Sequence, residues 1–193
     1  MKFLALLALG LASASTTVAS VCKLPASSPS PSPSSTPSGP SVPAPVCVSN
    51  VIQNGYFGSG SLDQWTVTAF GGAAVTGSTS CGQYSSCATL DTVTGGYASI
   101  SQTVANTGVG LIYTFALNYR AVTTLYTDAT LVCQINGGAN GLSWSWKYNQ
   151  IPVGNYGYFM TTFEATTTSI TVSCAVSGSY ANPVQVDYLN LHC

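Results

Sequence analysis

From residue 47 to 193, apolar and polar positions alternate in short runs broken by Gly, Asn and Ser, a pattern that predicts strands and not helices. A first strand is predicted over 48–53, ending in the turn pair Asn54-Gly55, with further strands over 62–70, 73–76, 86–90 and 97–104. The clearest alternation lies in 111–122. There Tyr113, Phe115, Leu117 and Tyr119 take one face, and Thr114, Ala116, Asn118 and Arg120 the other. Leu131, Cys133 and Ile135 alternate again, as do Phe159, Thr161 and Phe163, then Ile170, Val172 and Cys174. The last strand is predicted over 184–191, and no amphipathic helix of three turns is visible. About ten strands in this stretch predict one all-β domain over 47–193, an antiparallel β-sandwich or barrel.

The first 46 residues read differently. Lys2 precedes an apolar run from Phe3 to Ala12, and small residues follow, which predicts a signal peptide over 1–19 with cleavage between Ala14 and Ser20. The run is too short to span a bilayer, and the ending Leu191-His192-Cys193 offers no hydrophobic tail for a lipid anchor. Residues 20–46 read as a disordered linker: between Pro25 and Pro45, eight positions are Pro and eight are Ser, too few apolar groups for a core. Such prolines favour extended polyproline II at about 3.1 Å per residue, and Ser/Thr-Pro runs of this kind are expected to carry O-linked glycans. No Asn-x-Ser/Thr sequon is present. The expected location is secreted, either extracellular or in a cell wall.

Charge narrows the partners. Four basic residues against five acidic ones leave a net charge of −1, so there is no basic patch for nucleic acid or an anionic membrane. A surface of hydroxyls and amides suits neutral, hydroxyl-rich ligands. Seven cysteines in an oxidising compartment point to disulfides, and the single histidine with no CxxC pair argues against zinc. Cys133 and Cys174 share the parity of inward apolar neighbours, Cys81 and Cys87 bracket a short loop, and Cys47 and Cys193 open and close the domain. Six cysteines allow 15 pairings; parity and proximity favour these three. Cys22 is left over, available for a covalent dimer.

Catalytic chemistry finds little support in the pattern. His192 stands next to the last residue, no GxSxG elbow occurs, and Asp63, Asp91, Asp128, Glu164 and Asp187 form no recognisable carboxylate pair. Aromatic residues carry more information. Trp144, Trp146 and Tyr148 recur at every second position, which predicts one face of a strand. That row is either a platform for stacking on sugar rings or sandwich core; the polar Lys147 between them favours core. If the Tyr113–Tyr119 row is also core, Asn118 and Arg120 project from the sheet into a binding face.

The segments NVIQNGYFGSGSLDQWTV, ASISQTV, YTFALNYRAV, FEATTTSITVSC and VQVDYLNLHC resemble, in order, the strands of jelly-roll carbohydrate-binding modules of the cellulase-associated type, with their galactose-binding-like fold. Small secreted fungal proteins with Ser/Pro linkers carry domains of this kind. The resemblance implies a jelly-roll sandwich and a polysaccharide or glycan as partner. It also implies a structural calcium, held by a Glu after the first-turn Phe and by an Asp of the last strand. Here Gly58 stands at the Glu position and Asp187 matches the Asp, so one ligand is missing; the expectation is no cofactor, with a structural calcium at Asp187 as the alternative. The expected function is a non-catalytic carbohydrate- or cell-wall-binding protein, with Asn118, Arg120, Trp144, Trp146 and Tyr148 as candidate binding residues. The alternatives are a structural or host-interaction scaffold and, least favoured, a glycoside hydrolase.

Overall fold

The computed structural model describes residues 50–81, 85–93, 95–138 and 140–193. The signal peptide, the linker, Cys22 and Cys47 lie outside these residues. Ten antiparallel strands form two five-stranded sheets. Sheet I has the order β1 (Thr66–Phe70), β4 (Gly96–Ala105), β9 (Ser169–Gly178), β6 (Thr130–Asn136) and β7 (Leu142–Lys147). Sheet II has the order β2 (Ala74–Ser78), β3 (Cys87–Asp91), β10 (Val184–His192), β5 (Ile112–Ala121) and β8 (Gly157–Glu164). The fold is therefore an all-β sandwich. Among the described residues no helix is long and apolar enough to cross a membrane.

The period-two pattern explains the core. Ile100 and Ala98 of β4, Val172 and Val176 of β9, and Leu131 and Ile135 of β6 turn inward from sheet I and are fully buried. Phe115 and Leu117 of β5, Leu90 of β3 and Val186 of β10 meet them from sheet II in one cluster. Each of these side chains larger than Ala98 contributes about 1.5–3 kcal/mol by leaving water, which is why alternation alone fixes which face of each strand turns inward. The inward parity of Cys133 and Cys174 is met by a disulfide between directly opposed residues of β6 and β9. Cys81 and Cys87 form the second bridge, closing the loop before β3. Cys193 is disulfide-bonded as well; its predicted pairing with Cys47 lies outside the described residues.

Two predicted elements differ. Residues 50–53 form no strand, because Asn50 supplies the bonding with its side chain. Its Oδ1 accepts from the backbone N–H groups of both Ile52 and Leu191, while Val51 donates to the Leu191 carbonyl. The strand expected over 62–70 begins only at Thr66. Ahead of it Phe57 and Trp65 pack their rings 5.5 Å apart as a plug in the core, and the Trp65 indole donates to the Asn54 carbonyl. The Asn54-Gly55 turn has a steric basis. Asn54 takes a left-handed φ of 51°, and a Cβ on Gly55 would lie 2.0 Å from the Leu189 carbonyl oxygen.

Candidate functional site

The outward positions of β5 and β10 carry the side chains that the core does not use. Register places Arg120 opposite Gln185 and Asn118 opposite Asp187, all four on the outer face of sheet II. Arg120 is the hub. Its Nε donates to Gln185 Oε1 at 2.8 Å and one Nη to the Gly154 carbonyl at 2.8 Å, and its guanidinium lies 4.7 Å from the centre of the Tyr156 ring. Tyr156 donates its hydroxyl to the Cys81 carbonyl, and Gln185 Nε2 reaches Thr89 on β3. The segment before β8 is zipped to the end of β5, with Ala121 donating to Pro152 and Gly154 donating to Ala121. One cation thus ties together β5, β10, the loop before β8 and the disulfide loop. Such a network holds side chains still before any ligand arrives.

Beside this hub β10 is irregular. Its register against β5 slips between Asp187 and Asn190, and Tyr188 takes a left-handed φ of 53°. The bulge carries Tyr188 beside Tyr56, their rings edge-to-face at 5.2 Å. Asp187 Oδ1 accepts the Tyr188 backbone N–H at 2.6 Å. Burial pushes the Asp187 carboxyl up to about 6, against the lowering effect of that hydrogen bond. The Tyr56 phenol is raised by burial first, then by Tyr188 and by the charge of Asp187. Asn118 is 4% exposed and Asp187 1% exposed, although both stand on an outward face. Asn118 Nδ2 and Asp187 Oδ2 have no hydrogen-bond partner. Next to them Tyr158 and Met160 of β8 are 59% and 58% exposed, opposite Asn118 and Ala116.

The structure separates the sequence-derived candidates into two groups. Asn118 and Arg120 project outward and share a face with Asp187. Trp144 and Trp146 point to the inner side of β7 and are half-buried. Trp144 packs on Phe115 and Phe159, and Trp146 on Tyr119 and Phe159, so the pair closes the sandwich between the edge strands β7 and β8. Tyr148 does not continue their strand row. It begins a 3-10 turn, Tyr148–Gln150, and its backbone N–H donates to Ala129. The aromatic row and the Asn118/Arg120 pair are therefore not one site.

The side-chain donor set around Asp187 is smaller than the one the resemblance implies for calcium. Gly58 brings no side chain, and no three His, Cys, Asp or Glu side chains gather among the described residues. The side-chain oxygen donors at this register position are the Asp187 carboxylate and the Asn118 amide opposite it. Other carboxylates cap turns. Asp91 Oδ1 accepts from the backbone of Val93 and Asn182, and Asp128 Oδ2 from Ser179, which holds the Asp128 carboxyl below its ordinary range. Sequence reasoning missed Gln185, Tyr156, Tyr56 and Tyr188. Gln185 stood in a recognised strand with outward parity and could have been found; the tyrosines depend on loops and a bulge that no local pattern announces.

No family model matches this chain, and no curated protein matches it by sequence. Solved structures do match by fold. The carbohydrate-binding module TmCBM61, solved in complex with β-1,4-galactotriose, superposes with a TM-score of 0.59 at 15% identity, over 74% of this chain and 97% of that one. Family 16 carbohydrate-binding module-2 gives 0.54 at 16% identity, over 74% and 99%. The enzymatically active domain of tailspike protein 4 from bacteriophage CBA120 gives 0.56 at 18% identity, over 74% of this chain but 21% of that one. The chain thus has the β-sandwich of carbohydrate-binding modules. At such identities the likeness is one of fold.

Proposed function

We propose that this protein is a secreted, non-catalytic glycan-binding protein whose binding surface is the outer face of sheet II. The observation that carries this is the Arg120 network, which pins a neutral-to-polar face between the exposed rings of Tyr56 and Tyr158. Flat rings give apolar contact to sugar ring faces, while the half-buried Arg120, braced by the buried Gln185, offers hydrogen bonds to hydroxyls. The fold shared with modules such as TmCBM61, which holds a galactotriose, supports the same reading.

Catalysis is disfavoured by the placement of the acids. A glycosidase needs two facing carboxyl groups, yet Asp187 faces Asn118, and Asp91 and Asp128 are engaged by turn N–H groups. The test is retention of the purified protein on insoluble cellulose, chitin, β-glucan, xylan, mannan and galactan, with reducing-sugar release measured alongside. Retention on at least one without sugar release is the expected result. Release of reducing sugar would make it a hydrolase, and no retention on any of them, with no signal on a glycan array, would remove the binding reading.

A further inference from the structure

Alternation along β4 turns Ala98, Ile100, Gln102 and Val104 inward, so an amide stands in a row of apolar side chains. Gln102 is 8% exposed and works as a clamp. Its Oε1 accepts the Gln53 N–H at 2.7 Å, and its Nε2 donates to the carbonyls of Gln53 and Gln64 at 2.8 and 3.1 Å. Thr107, buried just past the strand, donates its hydroxyl to the Thr167 carbonyl and its N–H to that of Thr168. These bonds fix the walls of a cleft of about 730 Å³ at the end of the sandwich where β4 passes into β5. That volume lies within the range of about 300–1,000 Å³ usual for small-molecule sites. The cleft is open to solvent: Gln102, Val104, Thr107 and Tyr113 line it as buried residues, and Gln53, Gln64 and Asn106 as exposed ones.

The lining carries hydrogen-bonding groups that the fold itself does not use. The Tyr113 hydroxyl accepts the Gly108 N–H at 3.0 Å, and its own proton has no acceptor among the described residues. Asn50 spends its Oδ1 on Ile52 and Leu191, which leaves its NH2 without an acceptor there. The side-chain amides of Gln53, Gln64 and Asn106 make no hydrogen bond among the described residues. Nor does any charged side chain of those residues line the cleft. Its apolar lining is limited to Val51, Val104 and Ala105, too little to anchor the side chain of a peptide partner.

We propose that this cleft is a second saccharide site, separate from the outer face of sheet II, taking a short neutral saccharide or the end of a glycan chain. It adds to the reading above and uses no residue of that face. Amides and hydroxyls both donate and accept, as sugar hydroxyls do: a hydroxyl receives the Tyr113 proton or an Asn50 N–H and donates to the amide oxygen of Gln53, Gln64 or Asn106. A carboxylate or sulfate gains no ion pair there, so the cleft favours neutral units. Along β5, Tyr113 and Asn118 are five positions apart, about 17 Å at about 3.4 Å per residue, and they face opposite sides of the sheet. One sugar unit cannot reach both, so the domain engages two chains or two places on one. With little apolar lining, the cleft should fill at higher ligand concentration than the ring-bearing face.

The experiment is an NMR titration of the purified protein with neutral disaccharides of glucose, xylose, mannose, galactose and N-acetylglucosamine, with a Gly-Ser dipeptide as control. A disaccharide should move the side-chain amide signals of Asn50, Gln53, Gln64 and Asn106 in a phase distinct from that of Asn118 and Arg120. Gln53→Ala combined with Asn106→Gly removes two of these amides. It keeps the Gln53 backbone bonds to Gln102, and glycine accepts the left-handed φ of 60° at position 106, so the fold is preserved. The double variant should weaken the cleft phase about tenfold, the worth of two hydrogen bonds, with the sheet II phase as in wild type. Arg120→Ala should do the reverse. If disaccharides move sheet II signals and leave the cleft silent, or the cleft phase survives the double variant unchanged, the second site is wrong and the binding face stands. Cleft signals that answer only to the dipeptide overturn it as well. Cleft shifts with a silent sheet II keep the second site and remove the binding face, and no saccharide shift at either removes both.

Discussion

The two outer faces of the sandwich are each made from five strands of 5 to 10 residues with the same alternation, yet they are finished differently. Sheet I presents short hydroxyl side chains, among them Thr68, Ser101, Thr103, Thr171 and Ser173, and Thr103 and Thr171 bond each other at 2.9 Å. Sheet II presents Asn118, Arg120, Gln185 and Asp187, longer groups that are largely buried, cross-linked through Arg120, and partly unsatisfied. A face whose polar groups are small and solvated is a surface. A face that buries polar groups without completing their hydrogen bonds carries a destabilising cost, and selection for folding alone would remove it. On the proposed function, stability and binding fall on opposite sides of one core, with the inter-strand disulfide in sheet I and the irregular strand β10 in sheet II.

The largest effect that separates the two sides is on stability. Replacing Cys133 and Cys174 by Ala should remove about 4 kcal/mol, the loop-entropy worth of a bridge spanning 41 residues, read as a fall in the denaturant midpoint. Glycan affinity of the protein that remains folded should be unchanged, because the bridge belongs to sheet I. On the other side, Arg120→Ala should weaken binding by tenfold or more, about 1.4 kcal/mol or greater by titration calorimetry, since Gln185, Tyr156 and the loop before β8 lose their common anchor. An unaltered affinity would detach the network from binding.

Asp187 gives a smaller and pH-dependent contrast. Its carboxyl titrates at about 6 in the folded protein against 3.8 unfolded, so the native state binds the extra proton between these values. Stability from this group is therefore fully present below pH 4 and is lost as pH rises to about 6. Asp187→Asn should raise stability by about 1–2 kcal/mol at pH 7.5 and leave it unchanged at pH 4, seen in thermal melts at the two pH values. The smallest effect should come from Thr171→Val on sheet I, within about 0.5 kcal/mol in stability and with no change in binding.

How much of this was visible in the sequence follows from the range of the forces involved. Alternation is local, so the inward row Tyr113–Tyr119, the cystine partners Cys133 and Cys174, and the outward set of Asn118 and Arg120 could all be read from neighbouring residues. The partners of Arg120 could not, because Gln185 lies 65 positions away and Gly154 34. Asp187 was legible only as a calcium ligand by resemblance; its pairing with Asn118 depends on a register that a bulge beginning at the next residue disrupts. Trp144 and Trp146 followed the parity rule, and Tyr148 did not, because the strand ends at Lys147 and the chain turns. The segment 48–53 looked like a strand because its composition is that of one; over the described residues 50–53 the Asn50 side chain takes over the bonding that a ladder would have made.

The most direct measurement is an amide and side-chain NMR titration with a soluble oligosaccharide of whichever polysaccharide retains the protein. Shift changes should concentrate at Asn118, Arg120, Gln185, Tyr158 and the Tyr56–Tyr188 pair, with Ser101, Thr171 and Ser173 still. Changes centred on the Ser/Thr face of sheet I, or on Trp144 and Trp146 with sheet II silent, would contradict the assignment of binding to the outer face of sheet II.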